Sequence, residues 1–286
     1  SDYVKRSPGE GKYMDSYRII MREMLNNAGE RSMIPAIIPP KCGHIITVFG
    51  LKPVRDIFEI CGVLSSLVSD FYIKVVGRDH CQFDIIASLP HFQGKIANAI
   101  SVRAGMLNCL SDRYADIWKR EFKTDFCNDS WSKKDKRLED SHFSELSFEW
   151  NMSIPLRSDY ERRQALIELD VLVALGLGLT IEQLKNAYEI QFPVLQQYED
   201  DTWYDANGRI VFTNNRSLVG VGFERKLFEQ EVKNASAGKK FYRTIMDDTI
   251  PGGPIERTIE YVAPFDRCDR EQDYETAWKF FADKYK

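Results

Sequence analysis

SDYERRQALIELDVLVALGLGLTIEQLKNAYEIQF, residues 158–192, constrains the fold more than any other stretch. It reads as two successive helices. The first runs to about Leu175 and breaks at the Gly176-Leu177-Gly178 triplet. Thr180 is placed to cap the second, because a hydroxyl there can accept from a backbone amide in the first turn. Pro193 ends it, since proline lacks the amide that a continuing helix needs. A pair of amphipathic helices must bury its apolar faces against another layer.

The preceding half supplies a mixed set of elements. MDSYRIIMREMLNN, residues 14–27, places Tyr17, Ile20, Met21, Met24 and Leu25 on one helical stripe, with Gly29 as the stop. Arg18 and Arg22 then share the opposite, solvent-facing side of that expected helix. SMIPAII and HIITVF read as two strands joined by PPKCG, with Pro35 demoting the first to an edge or bulged strand. VRDIFEICGVLSSLVSDFYIKVV, residues 54–76, is spaced for a buried helix, and Gly62, Ser65 and Ser66 allow close packing against a neighbour. QFDIIASLP reads as a further strand closed by Pro90, and a long helix is expected over 94–122.

DFCNDSWSKKDKRLEDSH, residues 125–142, is polar and charge-rich and reads as a linker or surface loop. After the helix pair, Asn207-Gly208 in WYDANGRIVFTN marks a hairpin turn. More strands are expected around the Pro–Gly turn of RTIMDDTIPGGPIERTIEYVAPF, and DREQDYETAWKFFADKYK closes the chain as an amphipathic helix. The expected class is α+β: a mixed domain with a small sheet and packed helices over 1–125, a charged linker over 126–150, and a helical and β C-terminal region over 151–286.

Composition narrows the function classes. Hydrophobic residues make up 43% of the chain, enough for a sizeable core. No run of about 18 apolar residues is present, so no transmembrane helix is expected. The opening residues lack an initiating Met and an apolar signal region, as in an excised piece of a longer chain; a processed protein would look the same. The cysteines at 42, 61, 81, 109, 127 and 268 are scattered without a CxxC pair, which reads as reduced core thiols in a cytoplasmic protein. Net charge is −4, unevenly divided. Residues 1–125 hold 17 Lys and Arg against 14 Asp and Glu, while 126–286 hold 22 against 29. A nucleic-acid surface is therefore sought in the first half.

Catalytic patterns are weak. The glycines at 176 and 178 follow a helix, whereas a dinucleotide loop follows a strand. Glu231-Val232-Lys233 matches the end of a nuclease E-x-K pattern without an Asp on an obvious preceding strand. His44, His80, His91 and His142 are too dispersed for a local metal motif, and no serine sits on an elbow motif. No catalytic residue, metal or cofactor is assigned within the chain. The candidate DNA contacts are Arg18, Arg22, Arg31, Lys41, His44, Lys52, Arg55, Lys74 and Arg78, placed on helix faces, strand ends and turns. Arginine pairs bidentately with guanine O6 and N7, while Lys and His near turns serve phosphates.

GERSMIPAIIPPKCGHIITVF, the following FEICGVLSSLVSDFYIK and then FDIIASLP resemble the target-recognition domain of restriction–modification adenine methyltransferases, the TaqI-like and fused type IIG group. Leu64, Ser65, Leu67, Phe71, Tyr72, Leu89 and Pro90 stand at the positions that carry the likeness. ERRQALIELDVLVALGLGLTIEQL, QFPVLQQYEDDTWYDANGRIVFT and APFDRCDREQDYETAWKFF resemble the C-terminal extension of large DNA adenine methylases of phage-defence loci. The resemblance covers most of residues 14–280. The family's cofactor-binding glycine motif and AsnProProTyr-type catalytic motif are absent from this sequence. The resemblance thus implies the C-terminal portion of such an enzyme, with S-adenosylmethionine and methyl transfer belonging to the parent protein.

The expected partners are double-stranded DNA and either the missing methyltransferase domain or other defence-system subunits. A protein-interaction module docking onto such subunits is the rival reading. A nuclease built on Glu231 and Lys233 is the third.

Overall fold

The computed structural model describes residues 13–249 and 252–285, so the opening residues 1–12 read above lie outside it. Strands β1 (Arg18–Arg22), β2 (Ala36–Ile38) and β3 (Val48–Leu51) form one antiparallel sheet in the order β2-β1-β3. Ile19 faces Ile37 on one side and Leu51 on the other. This corrects two expectations. Residues 18–22 are a strand where a helix was expected, because β-branched Ile19 and Ile20 suit a pleated surface and both edges of the segment find partners. Nor do β2 and β3 pair as a hairpin; β1 lies between them.

The helices of the first half are shorter than the sequence suggests. The stretch 54–76 divides into α1 (Ile57–Ser65) and α2 (Leu67–Val76). Ser66 adopts an extended backbone, and its Oγ accepts from the Ser69 amide to start the second helix. Residues 83–87, expected as a strand, form the short helix α3 (Phe83–Ala87). Ile85 and Ile86 are buried, and the segment pairs with no strand of the described sheets.

α4 (Gly94–Asn108) and α5 (Ala115–Glu121) replace the single long helix. The break follows Asn108, whose side chain donates back to the Ala104 carbonyl and accepts the Ile37 amide of β2 at 2.9 Å. Gly62 is needed where α1 crosses α4, since a Cβ there would stand 2.5 Å from Ile100 Cγ2.

The expected linker is part of the core. Phe126, Trp131, Leu138, Phe143 and Leu146 are buried in the same apolar cluster that begins at Ile19 and ends at Phe281. Part of its polar chemistry turns inward: Arg103 donates to Asp129 Oδ2 at 2.7 Å and to Glu168 Oε2 at 2.6 Å, and the Ser132 amide donates to Glu168 Oε1. The apolar core therefore runs straight through 126–150, and the proposed boundary there does not separate two cores.

The second half follows its local signals. α6 (Asp159–Gly176) and α7 (Ile181–Gln191) open on reciprocal capping boxes, Ser158 with Glu161 and Thr180 with Gln183. α8 (Pro193–Glu199) starts on the proline that ends its predecessor. Strands β4 (Trp203–Tyr204), β5 (Ile210–Phe212) and β8 (Asp266–Arg267) pair in the order β5-β4-β8. Asn207-Gly208 makes the turn between the first two, with Gly208 at φ 80°.

β6 (Lys240–Asp247) and β7 (Ile255–Val262) form a two-stranded ribbon whose Pro–Gly connection lies partly outside the described residues. A smaller core of Val211, Phe212, Phe228, Val232, Tyr261, Ala263 and Phe265 roots that ribbon. α9 (Arg270–Lys284) ends the described chain against α6. The class is α+β. Among the described residues, no helix is long and apolar enough to cross a membrane.

Candidate nucleic-acid interface

Three of the nine candidate cations point into the protein. Arg18 is fully buried, donates from Nη2 to the Cys42 carbonyl, and stacks its guanidinium over the Tyr13 ring. Arg31 donates from Nε to Asp70 Oδ2 at 2.6 Å and from Nη2 to the Ser65 carbonyl at 2.8 Å. Its side chain is 13% exposed and that of Asp70 is 0%. Lys74 Nζ donates to the carbonyls of Asn27 and Gly29 and lies over the Phe192 ring, and burial lowers its pKa. Arg31 and Lys74 fasten residues 27–33 to α2, while Arg18 ties β1 to the Cys42 carbonyl. As placed, they are structural cations.

The other six lie at or near the surface. Arg22 is exposed at the end of β1. Lys41 is exposed on a left-handed backbone (φ 68°), and half-buried His44 meets the edge of Tyr13 with ring centroids 6.2 Å apart. Arg55 and Arg78 hold only loose, exposed pairs, with Asp56 at 3.7 Å and Asp84 at 3.3 Å. Pairs of that kind contribute about 0–1 kcal/mol and yield readily to a phosphate.

Four of these six fall within one segment. Residues 41–55, KCGHIITVFGLKPVR, carry Lys41, His44, Lys52 and Arg55 and not a single acidic residue. The segment contains β3, which is an edge strand. It also carries Ile45 at 71%, Ile46 at 90% and Val54 at 97% exposure. Two backbone bonds fix the loop before β3: the Val48 amide donates to the Ile45 carbonyl, and the Glu23 amide to the Thr47 carbonyl. Beside it runs a groove of about 870 Å³ lined by Tyr13, Tyr17, Phe49, Lys52, Val54 and Phe83, with Asp15, Asp116 and Arg120 also on its walls.

The remaining motifs are absorbed by the fold. A Cβ on Gly176 would stand 2.5 Å from the Phe92 ring, so that glycine is closed off from any phosphate or adenosyl group. Gly178 is the left-handed stop of α6, its amide bonded to the Leu175 carbonyl. Glu231 lies on a π-helical turn, and Lys233 sits over the Trp203 ring, so the E-x-K triplet is not on a strand. His80 is exposed on a bridge to Met24, next to the buried Cys81 thiol, whose pKa burial pushes up to about 11. The cysteines are free thiols. Among the described residues, no group of His, Cys, Asp or Glu is arranged to hold a metal ion.

Sequence reasoning did not find a buried ionic chain that joins the two halves. Asp170 accepts from the Leu67 amide at 2.6 Å, from Arg270 at 2.9 Å and from Tyr274 at 2.7 Å. Arg270 also grips Glu199, which Arg163 reaches at 3.1 Å. Burial alone would raise the Glu199 pKa; Arg270 and Arg163 outweigh it and hold the carboxyl near 2. Nearby, Asn215 donates to Glu30 at 3.0 Å, and burial raises the Glu30 carboxyl. These partners lie 100 residues or more apart in most cases, so no local signal marks them.

No protein-family model, curated protein or solved structure matches this chain.

Proposed function

We propose that the chain is a DNA target-recognition module, the C-terminal part of an adenine-specific DNA methyltransferase of a restriction–modification or phage-defence system. The observation that carries this reading is the acid-free edge segment 41–55, with Lys41, Lys52 and Arg55 beside exposed Arg22. Cations gathered on one sheet edge and its flanking turns suit the phosphates that set register on a duplex. S-adenosylmethionine belongs to a catalytic domain elsewhere in the parent protein, and no residue of this chain is assigned to hold it. In this reading the module fixes position on the duplex while the catalytic domain extrudes and methylates the adenine.

Titrating the chain with duplex DNA at two salt concentrations tests the proposal. Binding at low salt that falls steeply as salt rises supports it, because each phosphate contact releases counterion. Absence of binding at low salt refutes it.

A second reading, docking onto other defence subunits, is favoured by a different surface. Leu218, Val219 and Val221 are exposed on a loop tied to β6 by Arg243, which donates to the Gly220 carbonyl at 2.7 Å. Capture of a subunit that is lost on Val219→Asp, with DNA binding intact, distinguishes it.

A further inference from the structure

We propose that Ile45 and Ile46 form an apolar wedge that enters a base step of the bound duplex and partly unstacks it. The inference rests on the DNA-recognition reading and goes beyond it, from phosphate contact to deformation of the duplex. Two adjacent isoleucines at 71% and 90% exposure are costly on a free surface. Their β-branched side chains have few rotamers to lose on insertion.

The loop beneath them is braced on both sides. The Val48 amide closes a turn onto the Ile45 carbonyl, and the Glu23 amide anchors the Thr47 carbonyl to the end of β1. Lys41 precedes the pair and Lys52 and Arg55 follow it, with no acid between them to repel the backbone. Apolar side chains presented between cations are the means by which proteins prise apart a base step, while the cations hold the flanking phosphates. Pyrimidine–purine steps such as TA open most readily, so the wedge favours them.

The test uses the full chain and a short duplex carrying 2-aminopurine at a central TA step. Wild-type protein is expected to bind at low salt and to raise the 2-aminopurine fluorescence. The I45S/I46S variant is expected to keep its circular dichroism spectrum and its salt dependence, to bind roughly tenfold more weakly or less, and to leave the fluorescence flat. K41A/K52A/R55A, in contrast, is expected to show a weaker salt dependence. An I45S/I46S variant with wild-type affinity and fluorescence overturns the wedge, while DNA recognition stands. Wild-type binding without a fluorescence rise also overturns the wedge alone. Wild-type protein that does not bind overturns recognition and wedge together.

Discussion

Arg31 donates from Nε to Asp70 at 2.6 Å, and the same carboxylate accepts the Ser32 amide at 3.0 Å and the Met33 amide at 3.2 Å. One fully buried carboxylate thus fixes both the guanidinium and the backbone that follows it. Removing one partner of a buried pair leaves the other charge uncompensated. Arg31→Ala is therefore expected to destabilise the fold by about 3–5 kcal/mol in urea denaturation. Arg22→Ala, at an exposed strand end, is expected to stay within about 0.5 kcal/mol of wild type. Similar losses for the two variants would contradict this division between structural and surface arginines.

Lys41, Lys52 and Arg55 are expected to act on binding and not on stability. K41A/K52A/R55A should reduce the slope of log affinity against log salt by roughly 2 to 3, at ~0.9 per phosphate contact. An unchanged slope places the phosphate contacts on another surface.

Glu199 makes acid stability a readable quantity. Its carboxyl is held near 2, below the ordinary 4.5, so it is charged in the folded state where the unfolded chain would take up a proton. Its contribution is complete above about pH 4.5 and disappears as pH falls toward 2, amounting to roughly 3 kcal/mol at most. The raised carboxyl of Glu30 has the opposite sign, because protonation favours its buried form. Comparing wild type with Glu199→Gln isolates the first contribution: the stability difference should shrink across that window. A difference independent of pH would mean that Arg270 and Arg163 do not depress the carboxyl.

Gly62 is expected to tolerate no side chain. The Cβ of Gly62→Ala would meet Ile100 at 2.5 Å and Ala104 at 3.3 Å. Overpacking of that kind costs about 1–3 kcal/mol. A thermal melt of Gly62→Ala at or above the wild-type midpoint would show that α1 and α4 can separate without loss.

Local chemistry made the second half legible. Thr180, Pro193, Asn207-Gly208 and the apolar face of the last helix each act within a few residues, and each element formed as read. The first half was harder because partners there are distant. RIIMR satisfies a helical stripe and a strand equally well, and only β2 and β3 decide between them. FDIIA had the composition of a strand, yet it forms a short helix outside the described sheets. Arg31 read as a candidate DNA contact because Asp70 lies 39 residues away, and the charged segment 126–150 read as a linker because Glu168 and Asp273 come later in the chain. At the candidate interface, residue types were legible, but burial was not. The sequence could not separate Lys74, folded inward on two carbonyls, from Lys52 just past the end of the edge strand.

The Asp170 carboxylate has a consequence for how the chain is made. It links the Leu67 amide at the start of α2 to Arg270 and Tyr274 on the final helix. At synthesis rates of roughly 5–20 residues per second, the polypeptide emerging from the ribosome holds α1, α2 and α4 for many seconds before α9 exists. During that interval Asp170 lacks the Arg270 guanidinium, and the surface that Tyr274, Ala277 and Phe281 will cover is open. The shared core closes only once α9, Arg270–Lys284, has been made.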